Sequence, residues 1–535
     1  MGNGISAAAA ADFPERASRR TWVAVFGCML GALMSVLDIQ VTNSSLPDIE
    51  GGIDTGGSNG AWISTSYLIG EIIMIPLADY LSRVFGFRRF FLAATALFLC
   101  FSVGCAFAVS LPQMIILRGL QGFSAGAMVP MAMTYVLANL PPRQLPIGIA
   151  IFAMTATFGP AIGPTLGGYL TDTFGWKYVF FVNLVPGALM FALLLPTLQR
   201  ESMRLALLRQ GDWAGIAFMA VGLACLQTVL DQGNQYNWFT SDFIVKLAII
   251  AAVCLSIFIV IEMSIDRPLV NLRLLALRNF GLGTVANVIV GFAMFGAIYV
   301  LPTYLDETQG YNALQVGQVM AWSGIPQLFI IPFLPWLIKR VDARLIVCVG
   351  LALFASSCFM NSALSANFGG DEMRTSNIIR AVGQALLMAP LSLIALYGIT
   401  RAQSAQASGL FNMLRSLGGA FGTAILATIV TTRSDFHSQR IAEARAPNTP
   451  MVESFLSQMQ QYFLSSGVTQ DSARAMAMAK DSLADMVQKQ GLIMGYSDAF
   501  YIMGMVLIVA IVFVLPTHPV ARAIALPSAT EEQVA

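Results

Sequence analysis

Apolar residues run along this chain in long blocks, not in the short alternating or heptad patterns of soluble folds. A helix rises about 1.5 Å per residue, so about 20 mostly apolar residues cross a hydrocarbon layer of about 30 Å. Blocks of that length start near Trp22, Ser58, Arg89, Pro112, Leu145, Lys177, Asp212, Asp242, Phe280, Ala313, Ala343, Thr375, Gln406 and Asp498. The pattern predicts an all-α integral membrane protein of about fourteen spanning helices. Turns between the blocks are short, except for one polar stretch from about Thr432 to Ser497. Inside it, Phe455, Leu456, Met459, Phe463 and Leu464 recur at helical spacing, and a second such run includes Met476, Leu483, Met486 and Val487. This stretch reads either as a small helical hairpin capping the exit or as a Met-rich docking surface for a periplasmic partner.

The polar positions give the orientation. Arg16, Arg19, Arg20, Arg83, Arg88, Arg89, Arg143, Arg200, Arg204, Arg209, Arg267, Arg273, Arg278, Lys339, Arg340, Arg344, Arg401 and Arg522 fall on one side of the blocks. The short turns opposite hold only Lys177, Lys246 and Arg374. Basic loops stay cytoplasmic, which places both termini inside and favours an even number of spans. Trp22, Trp62, Trp176, Trp213, Trp238 and Trp336 stand at or near block ends, as interfacial anchors do.

Composition sharpens this picture and excludes alternatives. The 535 residues are 56% hydrophobic and 11% charged, with a mean hydropathy of +0.70. A soluble domain carries about a quarter charged residues. A net charge of +1 provides no basic surface for nucleic acid. All seven cysteines fall in apolar stretches, so no disulfide framework, metal site or cofactor is expected. His437 and His518 both lie outside the apolar blocks, which leaves intramembrane proton chemistry to carboxylates. The N-terminus lacks the basic-then-apolar order of a cleaved signal.

Four local patterns rise above hydropathy. In LDIQVTNSSLP (Leu37–Pro47), Asp38 lies about eight residues, or ~12 Å, below the outer end of the first span. In RGLQGFSAG (Arg118–Gly126), Arg118 lies ~10 Å below the same face. Either charge alone would cost on the order of 3 kcal/mol to insert, and an Asp38–Arg118 pair relieves both costs. Such a pair either lies on a transport path or only fastens two helices. In GPAIGPTLGGYL (Gly159–Leu170), Pro160 and Pro164 each remove a helix hydrogen bond. Gly159, Gly163 and Gly167, with Gly168, leave a smooth face on which another helix can pack and slide. The fourth pattern runs from Trp62 to Arg89, where Asp79 and Arg83 can pair four residues apart before Gly86, Arg88 and Arg89.

Together these motifs resemble the drug:proton antiporters of the major facilitator superfamily, in the fourteen-span EmrB/QacA-like branch. RGLQG is similar to the family's fourth-span R-x-x-Q-G, GPAIGPTLGG to its fifth-span antiporter signature, and WKYVFFVNLVPG (Trp176–Gly187) to its sixth-span pattern. DWAGIAFMAVGLACLQTVLDQGNQYNW resembles the extra seventh span, and SGLFNMLRSLGGAFGTAI the thirteenth. There are departures. Gln40, Thr42 and Ser45 make the first-span motif more polar than the family's, and the cytoplasmic motif has Asp79 for its first Gly and Arg83 for its Asp.

The resemblance implies two six-helix lobes rocking around a midplane cavity, with two inserted helices. On that reading residues 1–21 and 518–535 are cytoplasmic tails, 22–200 the first lobe, and 201–275 the inserted pair with linkers. Residues 276–517 are the second lobe, with 432–497 a long periplasmic loop. Arg380 with Gln384 would be the second lobe's counterpart of Arg118 with Gln121. The resemblance also implies a bacterial inner membrane, a cytoplasmic gate at Asp79, Arg83, Gly86 and Arg88, an EmrA-like membrane-fusion adaptor and a TolC-like outer-membrane channel.

Glu71 is the residue that elementary physics singles out. It lies ~14 Å inside Trp62, near the bilayer centre, with no basic residue in reach on its own helix. An unpaired carboxylate there is costly to keep ionised, which suits a group that binds and releases a proton in each cycle. The other reading is a permanently protonated carboxyl bonded to a neighbouring helix. Glu71, Asp38 and Arg118 are the expected proton-coupling residues. Arg415, in NMLRSLGG, has Asp38, Glu71 or a backbone carbonyl as possible partners. Gln40, Asn43, Tyr67, Gln121, Asn412 and Arg415 are candidate substrate-binding residues, with Met154, Asn183 and Asn287 as further cavity liners, though such polar groups also serve simply to join helices.

The leading expectation is an exporter of hydrophobic or amphipathic compounds driven by inward proton flow. The alternative is a same-fold exporter of a narrow substrate such as a fatty acid, siderophore or other metabolite. A subunit that binds without transporting has no need of intramembrane carboxylates. No nucleotide-binding P-loop, metal-ligand cluster or nucleophile constellation points to an enzyme.

Overall fold

The computed structural model describes residues 16–519 apart from 56–59, 142, 266–267, 401–402 and 445–449. Most of both expected tails, together with Ser58, Arg267, Arg401, Arg522 and the side chain of Pro160, lies outside the described residues. Every regular element among the described residues is a helix.

In the first half, α1 (Arg19–Ser44) is capped by the Ser18 side chain, which accepts from the Thr21 N–H. Pro47 then starts the short α2 (Leu46–Gly52). Gly86, at φ +82°, provides the tight turn between α3 (Ala61–Phe85) and α4 (Phe87–Ala106). The next apolar block is interrupted, forming α5 (Leu111–Ala125) and α6 (Met128–Asn139) on either side of Gly126–Ala127. The 30-residue α7 (Leu145–Phe174) runs through the glycine–proline motif without a break. After α8 (Tyr178–Phe181) and α9 (Leu184–Thr197), α10 (Trp213–Gln232) and α11 (Asp242–Ser264) pack on each other.

In the second half, a capping box of Asn312 and Gln315 separates α12 (Arg278–Gln309) from α13 (Ala313–Ile330). There follow α14 (Leu334–Arg340), α15 (Ala343–Asn361), and a second interrupted block, α16 (Met373–Ala385) and α17 (Met388–Leu396). The chain ends in α18 (Ser404–Ala444), α19 (Pro450–Ser465) and α20 (Ser472–Val514). Among the described residues, 12 helical segments are long and apolar enough to cross a membrane, and α5–α6 and α7 fill the two remaining apolar blocks.

Helix starts fall close to those expected, with one exception. α20 begins at Ser472, well before the apolar block near Asp498, and α18 likewise runs on past Thr432. With 41 and 43 residues, α18 and α20 are each about 60 Å long, roughly twice the hydrocarbon thickness. Hydropathy marks only the part of a helix that lipid would surround. The polar extensions stay helical because they pack on each other. Gly495 and Gly491 let α20 approach Val430, Ser434 and Ser438 of α18, and Arg433 and His437 of α18 both hold Asp498. α19 packs back onto α20, so the segment expected as a hairpin is a helical stalk continuous with two spans.

Small residues set the helix seams. On α7, Gly159 faces Val36 and Leu37, Gly163 faces Gln40, and Gly167 faces Val41 and Ser44, so the glycine ladder is pressed against α1. Its opposite side meets α13, where Gly317 lies against Thr165. Gly70, Gly122 and Gly126 close α3 on α5, and Gly291, Gly418 and Gly422 close α12 on α18. Several basic residues bond carbonyls near helix ends. Arg20 donates to the Thr197 carbonyl at 2.9 Å, Arg88 to that of Leu195 at 2.8 Å, and Arg344 to that of Thr517 at 3.0 Å.

A Cβ at Gly163 would overlap Gln40, whereas Gly51 faces open space. Gly163→Val is therefore expected to destabilise the protein by about 1–3 kcal/mol or more through overpacking, and Gly51→Ala to leave it within about 0.5 kcal/mol of wild type. Thermal unfolding of the purified protein in detergent checks both.

Candidate functional site

Two charged centres lie within the helical bundle, and they differ in burial. The first joins α1, α4, α5 and the α8–α9 turn. Arg118 donates from Nη1 to Asp38 Oδ2 at 2.6 Å and to Gln121 Oε1 at 2.8 Å. Gln121 Nε2 and Asn183 Nδ2 donate to Asp38 Oδ1 at 3.0 and 2.6 Å. Asn183 also reaches Ser102 on α4, whose hydroxyl donates to the Phe180 carbonyl. The guanidinium lies 4.3 Å from the centre of the Tyr67 ring, and Tyr67 in turn donates to the Ser35 carbonyl at 3.2 Å. Asp38 and Arg118 are each 1% exposed. The equal depth expected for these two charges is realised as a sealed ion pair.

The second centre lies where the two halves meet. Glu71 projects from α3 beside its close approach to α5, where Gly126, just past the end of α5, abuts the Glu71 backbone carbonyl. It is half-buried and makes no hydrogen bond among the described residues. α18, which carries Arg415, packs against α3. Arg415 itself donates to Asn412 Oδ1 at 3.1 Å and touches the Met388 sulfur at 3.8 Å. Of the three partners open to Arg415 in the sequence, Asp38 is taken by Arg118, and Glu71 faces it across the seam without forming an ion pair.

Arg415 and Asn412 line a narrow cavity of about 10 Å³ with Met133 and Phe152 of the first half and Met388 and Phe411 of the second. That is room for about one water molecule, far below the roughly 300–1,000 Å³ of a drug-sized site, so the halves are closed on this space.

Other expected residues fall elsewhere. Gln121, Tyr67 and Asn183 belong to the sealed Asp38 network. Gln40 is buried against Gly163 on the α1–α7 seam, and Asn287 donates to the Phe411 carbonyl on the α12–α18 seam. Asn43 is exposed and accepts from Ser64 at 2.6 Å. At the basic end, Asp79 and Arg83 pair at 3.1 Å, and the Phe87 N–H beside Gly86 donates to Glu201.

The comparisons bear on this arrangement directly. Residues 28–423 match the Major Facilitator Superfamily. The chain belongs to the major facilitator superfamily. It is 32% identical over 474 residues to the multidrug export protein EmrB of Escherichia coli K12, covering 88% of this chain and 90% of that one. It is 29% identical over 510 residues to the fatty acid resistance protein FarB of Neisseria gonorrhoeae, covering 95% and 98%. The fold matches that of the proton:xylose symporter XylE, with a TM-score of 0.57 at 16% identity over 92% of this chain and 95% of that one. This major facilitator chain is an EmrB-like transporter and not an enzyme.

Sequence reasoning missed two acids: Glu262 of α11, which is buried and accepts from the Val270 N–H at 3.3 Å, and the half-buried Asp231. Asp231, near the end of α10, accepts from Gln227 at 3.0 Å, and its neighbour Gln232 donates to Thr65 of α3 at 3.0 Å. The signal was available, since Asp231 ends an apolar block in the seventh-span motif, but it reads there as an ordinary interfacial charge.

In this superfamily member, Asp38→Asn leaves Arg118 buried without a counter-charge, and the expected loss of stability is roughly 3–5 kcal/mol. The double variant Asp38→Asn/Arg118→Gln is expected to regain much of it. Denaturant or thermal unfolding of the single and double variants measures the difference.

Proposed function

We propose that this chain is a proton-driven multidrug exporter of hydrophobic or amphipathic compounds, and that Glu71 is its proton-coupling carboxylate. The observation that carries the reading is Glu71, half-buried and without a hydrogen bond among the described residues, on α3 where that helix packs against α18, the helix of Arg415 in the opposite half. Ionised, Glu71 draws α3 toward α18; two unit charges attract by about 4 kcal/mol at 4 Å and an effective dielectric near 20, and by less when further apart. Protonated, it releases that attraction and lets the halves separate. A proton thus biases a two-state rearrangement, which is the physical requirement for coupling. Asp38 and Arg118 hold the helices that present Glu71. The glycine ladder Gly159, Gly163, Gly167 and Gly168, with Pro160 and Pro164, forms the α1–α7 unit that moves as one body against α13. Asp79, Arg83, Gly86 and Arg88 form the inner gate.

In this reading α5–α6 and α7 also cross the membrane, giving fourteen spans in a bacterial inner membrane with both termini cytoplasmic. The excess of basic residues at one end of the bundle supports that orientation. The stalk of α18, α19 and α20 then projects into the periplasm. There it meets an EmrA-like membrane-fusion adaptor leading to a TolC-like channel, and exposed Tyr462, Val468 and Met486 suit such a contact. A narrower cargo is the second reading, supported by the 29% identity to a protein named for fatty acid resistance.

The test is transport in proteoliposomes. At one proton per neutral substrate, a gradient of about one pH unit supports about tenfold accumulation. Glu71→Gln is expected to abolish accumulation while leaving substrate exchange without a gradient. Uphill transport by Glu71→Gln would overturn the assignment.

A further inference from the structure

The two halves of the bundle repeat one local design around an arginine. Arg118 lies on α5, just before the break to α6; Arg380 lies on α16, just before the break to α17. Each has a glutamine one turn later, Gln121 or Gln384, and each faces a buried cysteine of the preceding span, Cys105 or Cys358. Arg118 has Asp38. Arg380 has no acid.

Arg380 is 3% exposed, and its Nε and Nη2 are sealed from solvent with no acceptor. Its own half cannot supply a counter-ion at that depth. α12 carries no acidic residue before Asp306, α13 to α17 carry none, α18 carries none before Asp435, and the last acid of α20, Asp498, is held by Arg433 and His437. The nearest acids along the chain, Asp371 and Glu372, lie at the start of α16 about 12 Å from Arg380, and Glu372 accepts from the Gly369 N–H at 2.9 Å. The other intramembrane cation of this half, Arg415, donates to Asn412 and lies on α18, the helix that packs against the Glu71 helix. A buried guanidinium left without a partner is among the costliest groups a fold can carry.

The surroundings are polar and equally unsatisfied. Gln327 of α13 donates to Gln384 Oε1 at 3.1 Å, but its own Oε1 has no partner. The side-chain oxygens of Asn377, one turn before Arg380, and of Asn361, one turn after Cys358, are also buried without donors. Where α16 ends, Ala385 packs against Ala150 and Met154 of α7, so this wall borders the seam at which the two halves part.

We propose that Arg380 is the binding site for the carboxylate of an amphipathic organic acid carried by this transporter. A carboxylate accepts from the planar N–H groups of the guanidinium. Water carried with it donates to the orphan oxygens of Gln327, Asn361 and Asn377. The first half closes its arginine with an internal acid and so builds a permanent lock; the second half leaves the same position for the cargo's acid. This rests on the exporter reading above, and the test separates the two.

Purified wild-type protein is titrated with dodecanoate and with its methyl ester, with binding read by thermal shift. The acid is expected to stabilise and the ester not. Arg380→Gln is expected to weaken dodecanoate binding about ten- to hundredfold, the worth of a charge-assisted hydrogen bond, with Arg380→Lys in between. In proteoliposomes, the ratio of dodecanoate to tetraphenylphosphonium transport is expected to fall by about tenfold or more in Arg380→Gln. The proposal is overturned if acid and ester behave alike on wild type, if Arg380→Gln binds dodecanoate as wild type does, or if Arg415→Gln alone removes the acid's effect. It is also overturned if both Arg380 variants lose acid and cation together, which marks a purely structural residue. Wild type that binds the acid but exports neither compound sinks the exporter reading and leaves the site standing.

Discussion

A guanidinium inside an apolar bundle must be matched by an acceptor, and the matching of Arg118 organises the first half of this protein. Arg118 donates to Asp38 of α1 and to Gln121 of its own helix and lies over the Tyr67 ring of α3, while Asn183 of the α8–α9 turn donates to Asp38. The contacts to Asp38 and Tyr67 fix α1 and α3 relative to α5. The glycine seams make this possible, because α3 can approach α5 closely only where Gly70, Gly122 and Gly126 carry no side chain. Polar matching and close packing are thus one constraint, and the position of Glu71 follows from it. Glu71 is one residue past Gly70, on the helix whose approach the lock sets.

That lock explains why the two carboxylates of the first half differ in kind. Asp38 accepts from three side-chain donors and is sealed, so changing its charge would break a network spanning four elements. Glu71 accepts from none among the described residues and is partly open, so its charge can change at no cost in hydrogen bonds. A group that cycles its proton must be of the second kind, and a group that holds helices must be of the first.

Much of this was legible in the sequence, for identifiable reasons. Asp38 and Arg118 could be matched because depth along two spans is countable at a fixed rise per residue. The glycine ladder of α7 announced a close helix contact, and its partner proved to be α1. What could not be read was the direction in which side chains leave their helices. Gln121, Asn183 and Tyr67 read as cavity liners, yet depth is shared by a lock and a cavity, and only rotation about the helix axis separates them. Arg415 and Glu71 lie far apart in sequence on different halves, and no local pattern couples them. The stalk was legible as helical but not as continuous with α18 and α20, since hydropathy ends where lipid ends.

The inserted pair adds a constraint of its own. α10 touches both halves at once. Gln232 donates to Thr65 of α3, while Trp238 Nε1, just past α10, donates to Thr428 of α18 at 2.9 Å. Leu230 packs with Ala420 and Ala424 of α18. These contacts flank the seam that Glu71 and Arg415 face, so α3 and α18 cannot part at this end while both sets hold. The packing of α10 on α3 is the more extensive of the two, while α18 contributes the Trp238 bond and the small Leu230 patch. Separation therefore breaks the α18 side first, and α10 stays with the first half. The inserted pair is a brace that a rigid-body step must release on the α18 side before α3 and α18 can part.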